Sequence, residues 1–186
     1  DNLTGKRVTT SDYASASYYY VNKSSLPKVY GGFNTSLSWK GFDLSAIFAY
    51  SIGGYIYNRD ITMILHNGSL EGRDWSTEIL KRWTPENRYT DVPALSTTSN
   101  NWNSASTRFL QNNSYMRLKN LTLSYDLPKQ WISKLALSSV QVFVQGDNLF
   151  TIHRNQGLDP EQGITGITYY RYPAMRTISG GINLSF

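Results

Sequence analysis

The eleven residues Arg176 to Phe186 read RTISGGINLSF, and they constrain the fold more than any other stretch of this chain. Ile178, Gly180, Ile182, Leu184 and Phe186 fall on one side of an extended backbone. Thr177, Ser179, Gly181, Asn183 and Ser185 fall on the other. Successive side chains of a strand point to opposite faces, so the segment reads as a strand with one apolar face and one small or polar face. A closing strand that ends on an aromatic suits a transmembrane β-barrel, whose apolar face meets lipid and whose polar face meets a watery lumen. The last strand of a soluble β-sandwich alternates in the same way, so both architectures stand at this point.

Four further segments read as strands. Residues 31–39 set Phe33, Thr35, Leu37 and Trp39 against Asn34, Ser36 and Ser38. Lys40-Gly41 then makes a tight turn into 42–52, where Phe42, Leu44, Ala46, Phe48, Tyr50 and Ile52 share a face. Residues 115–126 alternate at Leu121, Leu123 and Tyr125 and slip phase near Lys119-Asn120, as a bulge or an exit from the membrane would require. Residues 139–150 set Val140, Val142 and Val144 against Gln141, Phe143 and Gln145.

The connections alternate in length. Lys40-Gly41 is minimal, and Leu127 to Ser138 is short, with Pro128 placed to open a helical turn carrying Trp131, Ile132 and Leu135. Gly53 to Ser114 and Thr151 to Met175 are long, and loops of that length are uncommon in a compact soluble domain. Short turns at one end and long loops at the other are the layout of an outer-membrane barrel. If the last strand ends in the periplasm, the two short turns lie there too. The two long loops and residues 1–30 then lie outside the cell. Within the first long loop, Trp75, Ile79, Leu80 and Trp83 recur at helical spacing, with Asp74 to cap the helix and Thr84-Pro85 to stop it.

Composition removes other classes. No run approaches the roughly 18 apolar residues of a transmembrane helix. The absence of cysteine excludes a disulfide scaffold and a thiolate metal site, and the two histidines, His66 and His153, are far apart. The net charge of +5 is scattered rather than clustered, which argues against a nucleic-acid partner. No GxSxG, GxGxxG, P-loop or HExxH motif occurs, so an enzyme is not expected. Asp159-Pro160-Glu161 brings two carboxylates close together, but Asp-Pro commonly initiates turns, and the reading is structural. Asn34, Asn120 and Asn183 each begin an Asn-x-Ser/Thr triplet. They sit in strands on the polar side, where they read as lumen residues rather than glycan acceptors.

Five strands cannot close a barrel, because an open edge in lipid leaves backbone groups unpaired at several kcal/mol each. On the barrel reading this chain is expected to be a piece of a larger protein. The alternative is an autonomous extracellular carbohydrate-binding β-sandwich.

Long blocks of the sequence resemble the C-terminal end of SusC/RagA-type TonB-dependent outer-membrane transporters. They are LPKVYGGFNTSLSWKGFDLSAIFAYSIGGYIYN (Leu26 to Asn58), RWTPENRYTDVPAL (Arg82 to Leu95), SYMRLKNLTLSYDLPKQW (Ser114 to Trp131), VQVFVQGDNLFTIHRNQGLDPE (Val140 to Glu161) and YPAMRTISGGINLSF (Tyr172 to Phe186). The resemblance implies an all-β fold in which residues 1–186 supply the last five strands of a 22-stranded antiparallel barrel. It also implies a plug, a TonB contact in an absent N-terminal part and a SusD-like surface lipoprotein over the extracellular mouth. The cargo would be oligosaccharides or peptides, the location a Gram-negative outer membrane crossed many times, and no cofactor would be needed. Phe186 would belong to the signal for barrel assembly. Trp102, Tyr169, Tyr170 and Arg171, in the expected extracellular loops, are the candidates for contact with ligand or lid. Aromatic faces stack on sugar rings, and Arg presents planar donors to carboxylates or hydroxyls.

Overall fold

The computed structural model describes residues 5–6, 10, 12–68, 70, 72–96, 98, 101–133, 137–157, 159–161, 163–168 and 170–186. In chain order the strands are β1 (Val29–Trp39), β2 (Phe42–Ile52), β3 (Tyr55–Tyr57), β4 (Leu110–Asn112), β5 (Tyr115–Asp126), β6 (Ser139–His153) and β7 (Thr177–Ser185). Two short helices, α1 (Arg59–Ile64) and α2 (Lys129–Ile132), accompany them. The five long strands form one antiparallel sheet in the order β1-β2-β5-β6-β7, and β3 pairs with β4 in a separate ladder.

The chain divides into two compact units. The first, comprising Ser24–Ile56, Gln111–Gly166 and Tyr170–Phe186, holds the sheet. Its strands of 9 to 15 residues match the length needed to cross a bilayer at a tilt. Register aligns the alternation of each strand with that of its neighbours. Leu37, Leu44, Leu123, Val144 and Gly180 form one cross-strand row, and Trp39, Phe42, Tyr125, Val142 and Ile182 form the next. Within these rows Phe42 lies 4.4 Å from Tyr125, and two rows beyond Leu37 and Leu44 Phe33 stacks on Phe48 at 4.7 Å between ring centroids. Such pairs stabilise a sheet by roughly 0.2–1 kcal/mol each.

No second layer covers this apolar face among the described residues. Leu37 is 67% exposed, Trp39 64% and Ile182 63%. A sandwich needs a second sheet over that face, and besides the open five-stranded sheet the described residues form only the short β3-β4 ladder. The opposite face is polar and hydrogen-bonded from strand to strand. The Asn120 amide donates to Asp147 at 2.8 Å, the Gln141 amide to Asp126 at 2.9 Å, and the Asn183 amide to Gln141 at 3.2 Å. Polarity is thus reversed from that of a water-soluble sheet, which buries its apolar side.

The hairpin turn between β1 and β2 carries positive φ at both positions, 48° at Lys40 and 87° at Gly41, as a two-residue turn that follows strand twist requires. The phase slip in β5 is a bulge. Ile47 and Phe48 are adjacent on β2 but face Asn120 and Leu118, so Lys119 is extra. Without it the odd-numbered side of β5 would carry Arg117 onto the apolar face. With it, Met116 and Leu118 join the apolar face and Arg117 turns to the polar one.

The second unit comprises Asp1–Lys23, Tyr57–Leu110 and Ile167–Tyr169. It is held by contacts distant in sequence. The Asn58 N–H donates to the Phe109 carbonyl at 2.8 Å, while the Asn58 side chain caps α1 through the Ile61 N–H at 3.0 Å. Thr168 Oγ1 accepts from the N–H groups of Arg59 and Asp60. Phe109 is 2% exposed, and His66 is fully buried with its ring edge-on to Trp75 at 5.2 Å. The helix expected around Trp75 to Trp83 is only a 3₁₀ turn, Thr77–Lys81. Ser76, not Asp74, supplies its cap by accepting from the Glu78 N–H. Trp75 precedes the turn and Trp83 follows it, the latter donating its N–H to the Val92 carbonyl at 2.8 Å. The apolar spacing was therefore met by loop packing rather than by a continuous helix. Pro128 opens α2 as expected, and Leu135 lies outside the described residues.

Candidate functional site

Among the described residues, the polar face of the sheet carries a charge cluster centred on a buried arginine. Arg117 on β5 is 3% exposed. Its guanidinium donates to Thr151 Oγ1 on β6 at 3.0 Å, to Glu161 at 2.8 Å and to Asp159. Lys119, the bulged residue, reaches Glu161 at 2.6 Å. Asp159 also accepts from the N–H groups of Glu161 at 2.9 Å and Ala174 at 2.6 Å. Burial alone would push its carboxyl up, but the Ala174 N–H, the Arg117 guanidinium and the Glu161 N–H together hold it below the usual carboxylate value. Asp159-Pro160-Glu161 thus clasps the loop that follows β6 onto the sheet, and the Asn113 amide adds a bond to the Pro160 carbonyl at 2.8 Å. Both carboxylates of the motif are turned onto one guanidinium.

Beside this clasp lies a cleft of about 450 Å³, lined by Arg117, Thr151, Asp159, Arg171, Ala174 and Arg176 among others. Arg171, one of the residues singled out in the sequence, therefore sits at a built cavity. Tyr170, its neighbour, is 65% exposed and holds a positive φ of 39°. Tyr169 lies outside the described residues. Trp102 belongs to the other unit and is half-buried. Its indole N–H donates to the Leu65 carbonyl, and the Arg108 guanidinium stacks 3.7 Å from its ring centre. Burial pulls the Arg108 pKa below its ordinary value, with Asp91 opposing the shift. Phe186 follows β7 and is 90% exposed. The structure thus brings Arg171 together with residues that sequence reasoning left aside, Arg117 and Arg176. A signal for Arg117 was present: a cation inside an apolar-alternating strand needs an anionic partner, and Asp159-Pro160-Glu161 supplied two.

No family model matches the chain. Individual proteins do. TonB-dependent receptor P3 of Formosa agariphila is 33% identical over 166 residues, which is 83% of this chain and 16% of the relative. TonB-dependent receptor SusC of Bacteroides thetaiotaomicron is 27% identical over 90% of this chain and 16% of its own length. A solved structure of the RagAB peptide transporter superposes with a TM-score of 0.85 at 35% identity, covering 99% of this chain and 20% of that one. The chain thus spans about a sixth to a fifth of the proteins it matches. Sequence identity over most of its length and a shared fold lead to one conclusion: this chain belongs to the TonB-dependent receptor family, among relatives of the SusC and RagA type.

Proposed function

We propose that the chain forms part of the wall of an outer-membrane importer for oligomeric nutrients, driven through TonB, and that its cargo is peptide rather than glycan. One observation carries the reading: a single sheet with an uncovered apolar face, a hydrogen-bonded polar face and two open edges. Such a sheet is stable only where lipid meets the apolar side and further strands meet the edges. The preference for peptide is supported by the similarity to the RagAB peptide transporter, 35% identical over 99% of this chain. On this reading residues 1–186 are the C-terminal strands of a 22-stranded barrel. Lys40-Gly41 faces the periplasm, and a SusD-like lipoprotein covers the extracellular mouth. Trp102, Tyr170 and Arg171 then lie on the cargo or lid side, and the protein carries cargo without transforming it.

The test is uptake by cells expressing the full-length receptor with its lipoprotein. Labelled oligopeptides should enter only when TonB is present, and neutral oligosaccharides should not compete. Uptake that survives loss of TonB, or competition by glycan alone, would remove the reading. Phe186 is assigned to barrel assembly. Its deletion from the full-length protein should lower the yield of heat-modifiable barrel while leaving synthesis intact. Normal yield would leave the ring as an interfacial anchor only.

A further inference from the structure

The cleft beside the Arg117 clasp has an unbalanced charge. Arg117 and Lys119 are matched by Asp159 and Glu161, all four engaged with one another. Arg171 and Arg176 also reach this region, and among the described residues no carboxylate pairs with either. Their placement is not arbitrary. The Ala174 N–H is fixed by Asp159 at 2.6 Å, which tethers the short segment between the two arginines to the clasp. Arg171 folds back toward Gly163, where a Cβ would meet both terminal guanidinium nitrogens at 3.8 Å. Two arginines held on a tethered segment, around a cavity whose other charges are already neutralised, present planar paired donors to an anion.

We propose that this cleft binds carboxylate groups of the cargo, namely the C-terminal carboxylate or acidic side chains of a peptide, through Arg171 and Arg176. The assignment rests on the peptide reading above and adds a preference within it. A planar carboxylate matches the guanidinium fork, and a neutral sugar offers no charge to offset the two cations. The clasp has a separate part: it holds the segment and keeps Arg117 from competing for the incoming anion. The cleft lies on the polar side of the sheet, where Arg117 and Thr151 face.

The experiment uses the full-length receptor with its lipoprotein and two fluorescent decapeptides. One carries two Glu and a free C-terminus. The other has Gln in their place and a C-terminal amide. The wild type should bind the acidic peptide at least about tenfold more tightly, and the ratio should fall as salt screens the charges. The double variant Arg171→Gln with Arg176→Gln should bring the ratio to near one. The double variant Arg171→Lys with Arg176→Lys should keep most of it, which separates a charge effect from misfolding. A wild-type ratio near one, or a ratio untouched by the Gln variants, overturns the assignment and leaves the peptide reading standing. Failure of both peptides to bind the wild type, with binding of neutral oligosaccharide instead, overturns both.

Discussion

The two units of this chain are built on opposite logic. The sheet unit uses one local rule, alternation with period two, repeated on five strands and aligned by register so that one face is mainly apolar and the other mainly polar. The loop unit has no repeating rule. Its buried set includes Asn58, His66 and Thr168 beside Phe109 and Ile79, and its bonds join residues as far apart as Arg59 and Thr168. The difference shows where folding information resides. In the sheet unit each side chain matters for the face it occupies. In the loop unit each matters for a particular partner.

The largest effects should come from removing a particular partner, and Arg117 tests whether the sheet unit also contains such a point. Arg117→Met in the full-length receptor leaves Asp159 buried without its cation, at a cost of about 3–5 kcal/mol. Chemical denaturation of the purified protein reads the loss, and limited proteolysis after β6 reads the release of the loop. The pH dependence has a fixed sign. Because the folded Asp159 pKa is depressed, the wild-type contribution is complete above the unfolded carboxyl value of about 4 and is lost as pH falls through the lower folded value. The gap between wild type and variant should therefore narrow in acid. A gap that widens in acid would mean that Asp159 is not the partner that matters.

Phe109→Ala asks whether the two units are independent. Truncating a side chain that is 2% exposed costs about 3–5 kcal/mol where the site cannot collapse. If the loop unit is separate, proteolytic cuts within 57–110 should increase while heat-modifiability of the barrel stays normal. Loss of both together would show one cooperative body and erase the contrast drawn above.

A pair of substitutions on adjacent residues tests the face rule directly. Val142 lies on the uncovered apolar face, whereas the Gln141 amide bonds to Asp126 on the polar face. Val142 shares its row with Trp39 and Phe42 beside the Lys40-Gly41 turn, so Val142→Arg should cost about 1 kcal/mol at the membrane interface, and Gln141→Arg less, because its charge stays hydrated in the lumen. Folded fractions of the two full-length variants in bilayers of matched thickness decide it. Equal losses would mean that the sheet does not separate lipid from lumen along β6.

These contrasts explain what the sequence disclosed. The alternation from Phe42 to Ile52 is a property of consecutive residues, so β2 is visible without any knowledge of its neighbours. The slip at Lys119 was visible for the same reason, although its purpose, turning Arg117 inward, needed the register with β2. The helix expected from Trp75 to Trp83 is absent because those two residues repeat at a helical interval for unrelated causes: one packs on His66, and the other bonds to Val92. Helix α1 went unseen because its six residues start from a cap, Asn58, that is also held by Phe109 far along the chain. For the candidate site, Arg171 was legible as an exposed loop cation. Arg117 and Arg176 became relevant only once Asp159 had folded the loop back.

The smallest effect belongs to the most local feature, the turn at Lys40-Gly41. Lys40 holds φ at 48°, a region that costs a side chain with a Cβ about 1–2 kcal/mol and that Asn tolerates better. Lys40→Asn creates the Asn-Gly pair favoured for two-residue hairpins. It also removes a cation sitting 5.0 Å from the centre of the Trp39 ring, an exposed contact worth about 0.5–1 kcal/mol. The two terms oppose each other, so the expected net change is a stabilisation of only a few tenths of a kcal/mol. Salt separates them, because screening weakens the cation contact and leaves backbone strain untouched. Comparing unfolding midpoints of wild type and Lys40→Asn at low and high ionic strength should show the variant's advantage growing with salt. An advantage independent of salt would assign the whole effect to the backbone. A clear loss at every salt concentration would mean that the Lys40–Trp39 contact, and not turn geometry, fixes this hairpin.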